Sequence, residues 1–265
     1  MERVFASTEP LDAKGHRVLV CSDRYVEPTA ERVLPDGAVH LIFNFGDRQA
    51  GERGAELACL AMGATCTPTR IVLTGAVEQL CVRLRVGAAS AVLGVPAGEL
   101  ADQGVALDAI WGADATEMLE RLHALPHGTA RAALLTELLR ARARRADAPS
   151  RPTLEAVRRI AASGGRIRVR ELANDLGLGE RRLQQLFHQH VGLSPRAICR
   201  LARFRDVLGR CSRRKQAWAE LALDGGFYGQ AHFSNEIRAF TGLPPGDLAR
   251  SGDFGFLQED CLARS

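Results

Sequence analysis

The 265-residue sequence predicts a two-domain α+β protein: a β-rich N-terminal half closed by helices, and an all-helical C-terminal half built on two helix-turn-helix units. Three observations carry this reading. The first is a repeat. ELANDLGLGERRLQQLFHQHVGLSP, Glu171 to Pro195, shares its plan with ELALDGGFYGQAHFSNEIRAFTGLPP, Glu220 to Pro245. Glu171, Leu172, Ala173 and Gly177 recur as Glu220, Leu221, Ala222 and Gly226; Leu183, Phe187, Gly192 and Pro195 recur as Phe233, Ile237, Gly242 and Pro245. A repeat of this length is one supersecondary unit used twice. Each copy reads as helix, Gly-containing turn and second helix. The second observation is a run of short β-like segments in the first hundred residues. The third is charge: residues 1–150 hold 16 Lys/Arg against 19 Asp/Glu (net −3), residues 151–250 hold 18 against 9 (net +9), and the last fifteen hold 1 against 3 (net −2). Positive charge therefore gathers on the half that carries the repeat, as a phosphate footprint would.

Taken in order, Arg17–Cys21, Val39–Phe45, Arg70–Leu73 and Leu80–Val86 cluster branched and aromatic residues, with turn residues at 35–37, 46–47 and 51–54 between them. They predict a small antiparallel sheet or barrel, for which a cupin-like form is one option. Helical patterns follow over Ala88–Leu93, Asp114–Leu125 and Thr129–Ala146. The last carries Leu134, Leu135, Leu138 and Leu139 on one stripe, suited to its own core or to a dimer seam. Two prolines and a serine at 149–152 end this pattern. The expected organisation is an N-terminal sensing or dimerisation domain over 1–146, a linker at 147–153, a DNA-binding domain over 154–250 and a loose tail at 251–265.

In the first copy the helix Glu180–His190 buries Leu183, Leu186 and Phe187 by the i, i+3, i+4 rule. The opposite face carries Arg181, Gln185 and His188, flanked by Arg182, Gln184 and Gln189. Arg can fork onto guanine and Gln onto adenine in the major groove. Gly177 and Gly192 stand where left-handed residues close helices, and Ser194-Pro195 restarts one as N-cap and N1. The next pattern, Pro195–Gly209, reads as one helix joining the two readers. In the second copy the helix from about Ala231 to Thr241 buries Phe233, Ile237 and Phe240. It presents Ala231, Asn235 and Arg238, with Gln230 and His232 at its entry. Asn235 suits adenine and the Ala231 methyl a thymine methyl, whereas Arg238 lies a turn further on and suits a phosphate. Arg200, Arg203 and Arg205 are expected on a solvated or phosphate-facing surface.

On these motifs (A-x3-G at 173–177, L-x2-L-F, G-x-S-P, then A-x3-G-F at 222–227, Q-x-H-F-S at 230–234 and G-x-P-P at 242–245) the last hundred residues resemble the DNA-binding domain of the AraC/XylS family of bacterial transcription regulators. The resemblance implies a seven-helix module whose two recognition helices enter successive major grooves, roughly 34 Å apart. Ile237 stands where the family usually has Phe, and Pro244 where Ser or Thr is more common. LPDGAVHLIFNFG (34–46) and VGAASAVLGVPAGELADQGVALDAIWG (86–112) resemble a domain of unknown function found in some members.

Other chemistries find little support. No stretch reaches the 18 apolar residues of a membrane span, and MERVFASTEP lacks an apolar signal core, so a cytoplasmic protein is expected. Seven cysteines at irregular spacing, without a CxxC, read as free thiols. His188 and His190 point about 200° apart on one helix and cannot share an ion; His16 and His40 are isolated in sequence. No phosphate loop, GxSxG elbow or carboxylate pair occurs, so neither an enzyme nor a cofactor or metal is expected. The expected partners are double-stranded DNA, a small-molecule effector in the β-rich half, RNA polymerase and a second copy of the chain. The rivals are a DNA-docking repair or redox-sensing protein using Cys59 or Cys66, and a structural nucleoid binder without sequence preference.

Overall fold

The computed structural model describes residues 4–7, 16–52, 57–126, 128–145, 148–214, 227 and 229–248. The N-terminal half is one antiparallel sheet of seven strands: β1 (Val4–Ser7), β2 (Arg17–Val33), β3 (His40–Asn44), β4 (Ala50–Gly51), β5 (Cys59–Met62), β6 (Thr69–Arg83) and β7 (Gly104–Ala106). The order is β1-β2-β6-β3-β5-β7, with β4 added to β6. The sheet is open and curled; β1 and β7 are its ends.

The expected strand Arg70–Leu73 and residues 80–83 of the expected strand Leu80–Val86 are parts of the single strand β6, which ends at Arg83. Gly75, at φ 62°, bends the strand without ending it. β2 follows it from Arg17 to Val33, slipping register between Tyr25 and Thr29. The outer part of β2, YVEPTAERV, carries no apolar alternation because it lies largely in solvent. Pro28 falls in the register slip, where its missing N–H costs no ladder bond.

The two faces of the sheet separate cleanly. Val18 and Val20, Leu41 and Phe43, and Leu80 and Val82 belong to the core beneath the helices. His40, Ile42 and Asn44 of β3 alternate onto the other face, as do Gln79, Cys81 and Arg83 of β6, since successive side chains of a strand point opposite ways. Both faces being covered, VLVC at 18–21 is a continuous apolar run.

Against the first face lie α1 (Ala89–Leu93), a 3₁₀ turn (Ala97–Leu100), α2 (Leu107–Trp111), α3 (Ala113–His123) and α4 (Gly128–Arg145). Leu135 and Leu139 are buried in the core, with Leu134 and Leu138 partly buried against it, so the leucine stripe packs on its own half. Arg131 anchors α4. Its Nε donates to the carbonyls of Leu122 and Leu125, both at 3.1 Å, its Nη1 pairs with Glu78 at 2.6 Å, and its guanidinium lies 4.2 Å from the Phe45 ring centroid.

The C-terminal half comprises α5 (Arg151–Ala162), α6 (Val169–Asp175), α7 (Glu180–His190), α8 (Pro195–Arg214), α9 (Gln230–Thr241) and α10 (Pro245–Leu248). α5 begins inside the stretch read as linker, because Ser150 caps it through the N–H of Thr153 and Pro152 suits a first helical turn. Ile160, Leu172, Leu183, Phe187, Phe204, Phe233 and Phe240 form the second core. Leu34, from the turn after β2, belongs to that core, and Leu193 packs on both.

Arg131→Ala removes a buried cation and takes its donor from Glu78 and from the Leu122 and Leu125 carbonyls, so a loss of about 2–4 kcal/mol in unfolding free energy is expected. Denaturant titration checks it; a loss below about 0.5 kcal/mol, the usual size for a surface site, contradicts it.

Candidate nucleic-acid interface

The first helix-turn-helix unit is complete. α6 buries Leu172 and Ala173, and Gly177, at φ 66°, turns the chain toward α7. A side chain there would strain a backbone that L-residues rarely adopt. Leu183, Leu186 and Phe187 of α7 are buried, while Arg181, Arg182, Gln184, Gln185 and His188 are exposed. Ser194 caps α8, accepting from the N–H of Ala197 at 3.2 Å.

In the second unit α9 buries Phe233, Ile237, Phe240 and Thr241. Gln230, Ala231, Asn235 and Arg238 are exposed. His232 is half-buried, edge-on to Phe227 and 4.0 Å from Glu236, so it is less outward than the motif implies. Glu220, Leu221, Ala222 and Gly226, the first helix of this copy, lie outside the described residues.

α8 ties the two readers together. Phe204 stacks on Phe240 with centroids 4.8 Å apart. Arg200 grips Glu236 with both Nε and Nη2 at 2.9 Å and lies over the Phe240 ring. The expectation that Arg200 is solvated or phosphate-facing is therefore corrected: its fork is engaged by a carboxylate 36 residues away, which spacing along one helix does not reveal. The guanidinium of Arg203 lies 5.9 Å from the Phe227 centroid.

The far end of α7 is not free. His190 Nδ1 is 2.7 Å from Ser90 Oγ of α1. Burial, with the Arg182 charge, holds the His190 pKa below its ordinary value, so the ring is neutral at pH 7. His188 is exposed, yet its ring lies against Gly98, where an added Cβ would collide with Nε2. Gly192, at φ 88°, brings the end of the unit to Ala97, whose carbonyl would lie 2.8 Å from an added Cβ. Sequence spacing assigned His188 outward and His190 elsewhere; both meet the N-terminal half.

On the second face of the sheet a cavity of about 90 Å³ is lined by residues that include Leu34, Asp36, His40, Asn44, Leu60, Met62 and Gln79. Asp36 accepts from the N–H of Ala38 at 2.9 Å, pairs with His40 Nε2 at 3.1 Å and receives Arg83 Nε. His40 Nδ1 lies 3.6 Å from Cys81 Sγ. His40 is thus not isolated. Burial alone would push its pKa down, but the Asp36 charge and hydrogen bond outweigh this and raise it to about 10. For Asp36, burial would raise the pKa; His40 and Arg83 reverse this and hold it well below the carboxylate range.

The same turn that walls the cavity seats the C-terminal half. Leu34 enters the second core, and a Cβ on Gly37 would lie 3.1 Å from Ile198 Cδ1 and 3.3 Å from Leu201 Cδ1. Thr65 lines the cavity, while its neighbour Cys66 packs on the second core.

Neither Cys59 nor Cys66 is activated. Burial pushes Cys59 up to about 12, with Asp108 adding to it, and Cys66 up to about 11 despite the Arg200 charge. Nucleophilic cysteines shift the other way. No cluster of three or more His, Cys, Asp or Glu able to hold a metal occurs among the described residues, and no described helix is long and apolar enough to cross a membrane.

Residues 172–251, which span both units, match the family model of a helix-turn-helix domain. The chain carries an AraC-type helix-turn-helix domain. Ahead of this domain, residues 16–106 match a domain of unknown function, DUF6597. No curated protein matches the chain. Among solved structures, it is similar to ToxT from Vibrio cholerae at 8% identity and a TM-score of 0.45, over 88% of this chain and 96% of ToxT. ToxT bound to an unsaturated fatty acid aligns at 9% identity and 0.43, over 88% and 94%. The AraC-like transcriptional activator CuxR aligns at 12% identity and 0.22, over 77% and 79%. Domains of this type belong to transcription regulators.

The Asp36 cluster makes stability depend on pH in two directions. The Asp36 contribution is present above about pH 4, the ordinary carboxylate value, and is lost as pH falls through its lowered pKa. The His40 contribution is present below about pH 6.5 and is lost as pH rises through about 10. Asp36→Asn is therefore expected to cost about 3 kcal/mol near pH 6, with the gap to the unsubstituted protein narrowing toward pH 3 and pH 10. Thermal unfolding across that range checks it; a constant gap contradicts it.

Proposed function

We propose that this DNA-binding transcription regulator reads two unlike half-sites in successive major grooves, α7 taking one and α9 the other, with an effector at the sheet cavity modulating it. The observation that carries the reading is the pairing of a shared buried skeleton with different outer faces. Leu183 and Phe187 correspond to Phe233 and Ile237 inside, whereas the first reader exposes Arg181, Arg182 and Gln185 and the second exposes Gln230 and Asn235, with His232 half-buried between them. Identical readers would suit a palindrome; unlike readers fix a direction on DNA. Gln184 flanks the first base-facing set, Ala231 suits a thymine methyl, and Arg238 suits a phosphate, while His188, its ring against Gly98, closes the end of that set next to the sensing half.

The domain organisation follows from the same reading: a sensing unit up to about residue 146, a junction at 147–153, and a DNA-binding unit over 154–250. The effector site is supported by the shared walls described above, since a ligand that moves the 34–38 turn moves a seat of α8. The end of α7 against Ala97 and Gly98 gives the sensing half a second hold on the first reader.

Selection of bound duplexes from a random pool tests the reading. Enrichment of one asymmetric site, with two half-sites about one helical turn apart, is expected. Gln185→Ala should then weaken binding to the selected duplex by about 1–3 kcal/mol and relax preference at one position. No enrichment, or equal loss on selected and random duplexes, contradicts it.

A further inference from the structure

Asn44 and Gln79 are cross-strand partners on β3 and β6, and both line the cavity. Side chains opposed in this way stand about 4.5–5.5 Å apart at Cβ. The two amides are nevertheless turned to different uses. Asn44 Nδ2 donates to the carbonyl of Leu57, which leaves its Oδ1 buried with no hydrogen-bond partner among the described residues. Gln79 is 8% exposed, and its side-chain amide makes no hydrogen bond among the described residues. An acceptor and a donor–acceptor thus lie side by side in an apolar enclosure formed by Leu34, Ile42, Leu60, Met62, Ile71 and Leu73. A buried acceptor left unmatched is costly, so the site favours an occupant that supplies a donor.

The ionisable groups on the lining decide the charge of that occupant. They are Asp36, His40 and Glu52. Asp36 is engaged by His40 and Arg83, and both ring nitrogens of His40 are engaged by Asp36 and Cys81. Glu52 is exposed, at the rim. No lining cation is left to meet an anion, and the Asn44 lone pairs would face it. At roughly 10–15 Å³ per water-sized group, about 90 Å³ holds a molecule of on the order of six to nine non-hydrogen atoms.

We propose that the cavity takes a small uncharged ligand with an apolar tail and an amide-like head, its N–H donated to Asn44 Oδ1 and its carbonyl accepting from Gln79 Nε2. This rests on the reading of the cavity as the effector site. The test compares hexanamide with hexanoate, which has the same chain length, by ligand-observed NMR titration of the full-length protein at pH 7. Hexanamide is expected to bind about tenfold or more tightly than hexanoate, because a buried carboxylate would lack a counter-charge. Gln79→Met, which keeps the volume, should weaken hexanamide about fivefold or more, the size of one lost buried hydrogen bond. Ile71→Trp, which fills the cavity, should abolish binding, with the thermal midpoint of each variant confirming that it folds. Equal or tighter binding of hexanoate overturns the ligand class while leaving the effector site standing. Hexanamide binding that survives both substitutions places the molecule elsewhere and overturns the proposal. Binding of neither probe overturns the effector reading itself, and the selected duplex, titrated on the same preparation, reports independently on DNA binding.

Discussion

Asp36 holds three things at once: the N–H of Ala38 in its own turn, the imidazole of His40 on β3 and the guanidinium of Arg83 at the end of β6. The turn it fixes runs from Leu34 to Ala38. One side of that turn walls the sheet cavity, and the other reaches Ile198 and Leu201 of α8 through Leu34 and Gly37. Because α8 also carries Arg200 and Phe204, which grip α9, the placement of the second reader depends on the same seat. A single carboxylate in a nearly dry site thus fixes the sheet, the cavity wall and the base of the helix-turn-helix domain. Its cost of burial is offset only because two cations meet it.

The sheet allows this by having two covered faces. One packs under α1 to α4; the other curls over the cavity, where Gly75 and the slip between Tyr25 and Thr29 bend the long β2–β6 pair. Curvature brings Thr69, Ile71 and Leu73 from one end of β6 and Gln79 from the other onto a single lining. Chemistry that a flat sheet would spread along about 30 Å of strand, at 3.3 Å per residue, is gathered at one place.

Much of this was legible in the sequence where contacts are local. The 3.6-residue spacing of Leu183, Leu186 and Phe187, and of Phe233, Ile237 and Phe240, identified the buried faces. Gly177 and Gly192 announced left-handed turns. What escaped depends on distant partners. β6 read as two strands because its middle, TGAVEQ, lacks a one-sided apolar pattern. His40 read as isolated because Arg83 lies 43 positions on and Asp36 is one of many acidic residues. Arg200 read as solvated because Glu236 belongs to another helix. The docking of His188 and His190 on α1 and the 3₁₀ turn has no local signature, since Ser90, Ala97 and Gly98 are small residues in a bland segment.

The central claim is that the turn held by Asp36 is a shared wall, so loosening it on the sheet side must be felt in α8. Hydrogen–deuterium exchange of the full-length protein and its Asp36→Ala variant tests this most directly. Faster exchange is expected both at residues 36–44 and along α8 from Ile198 to Phe204, while α3, remote from the turn, stays unchanged. Acceleration confined to the sheet, with α8 exchanging as before, would contradict it.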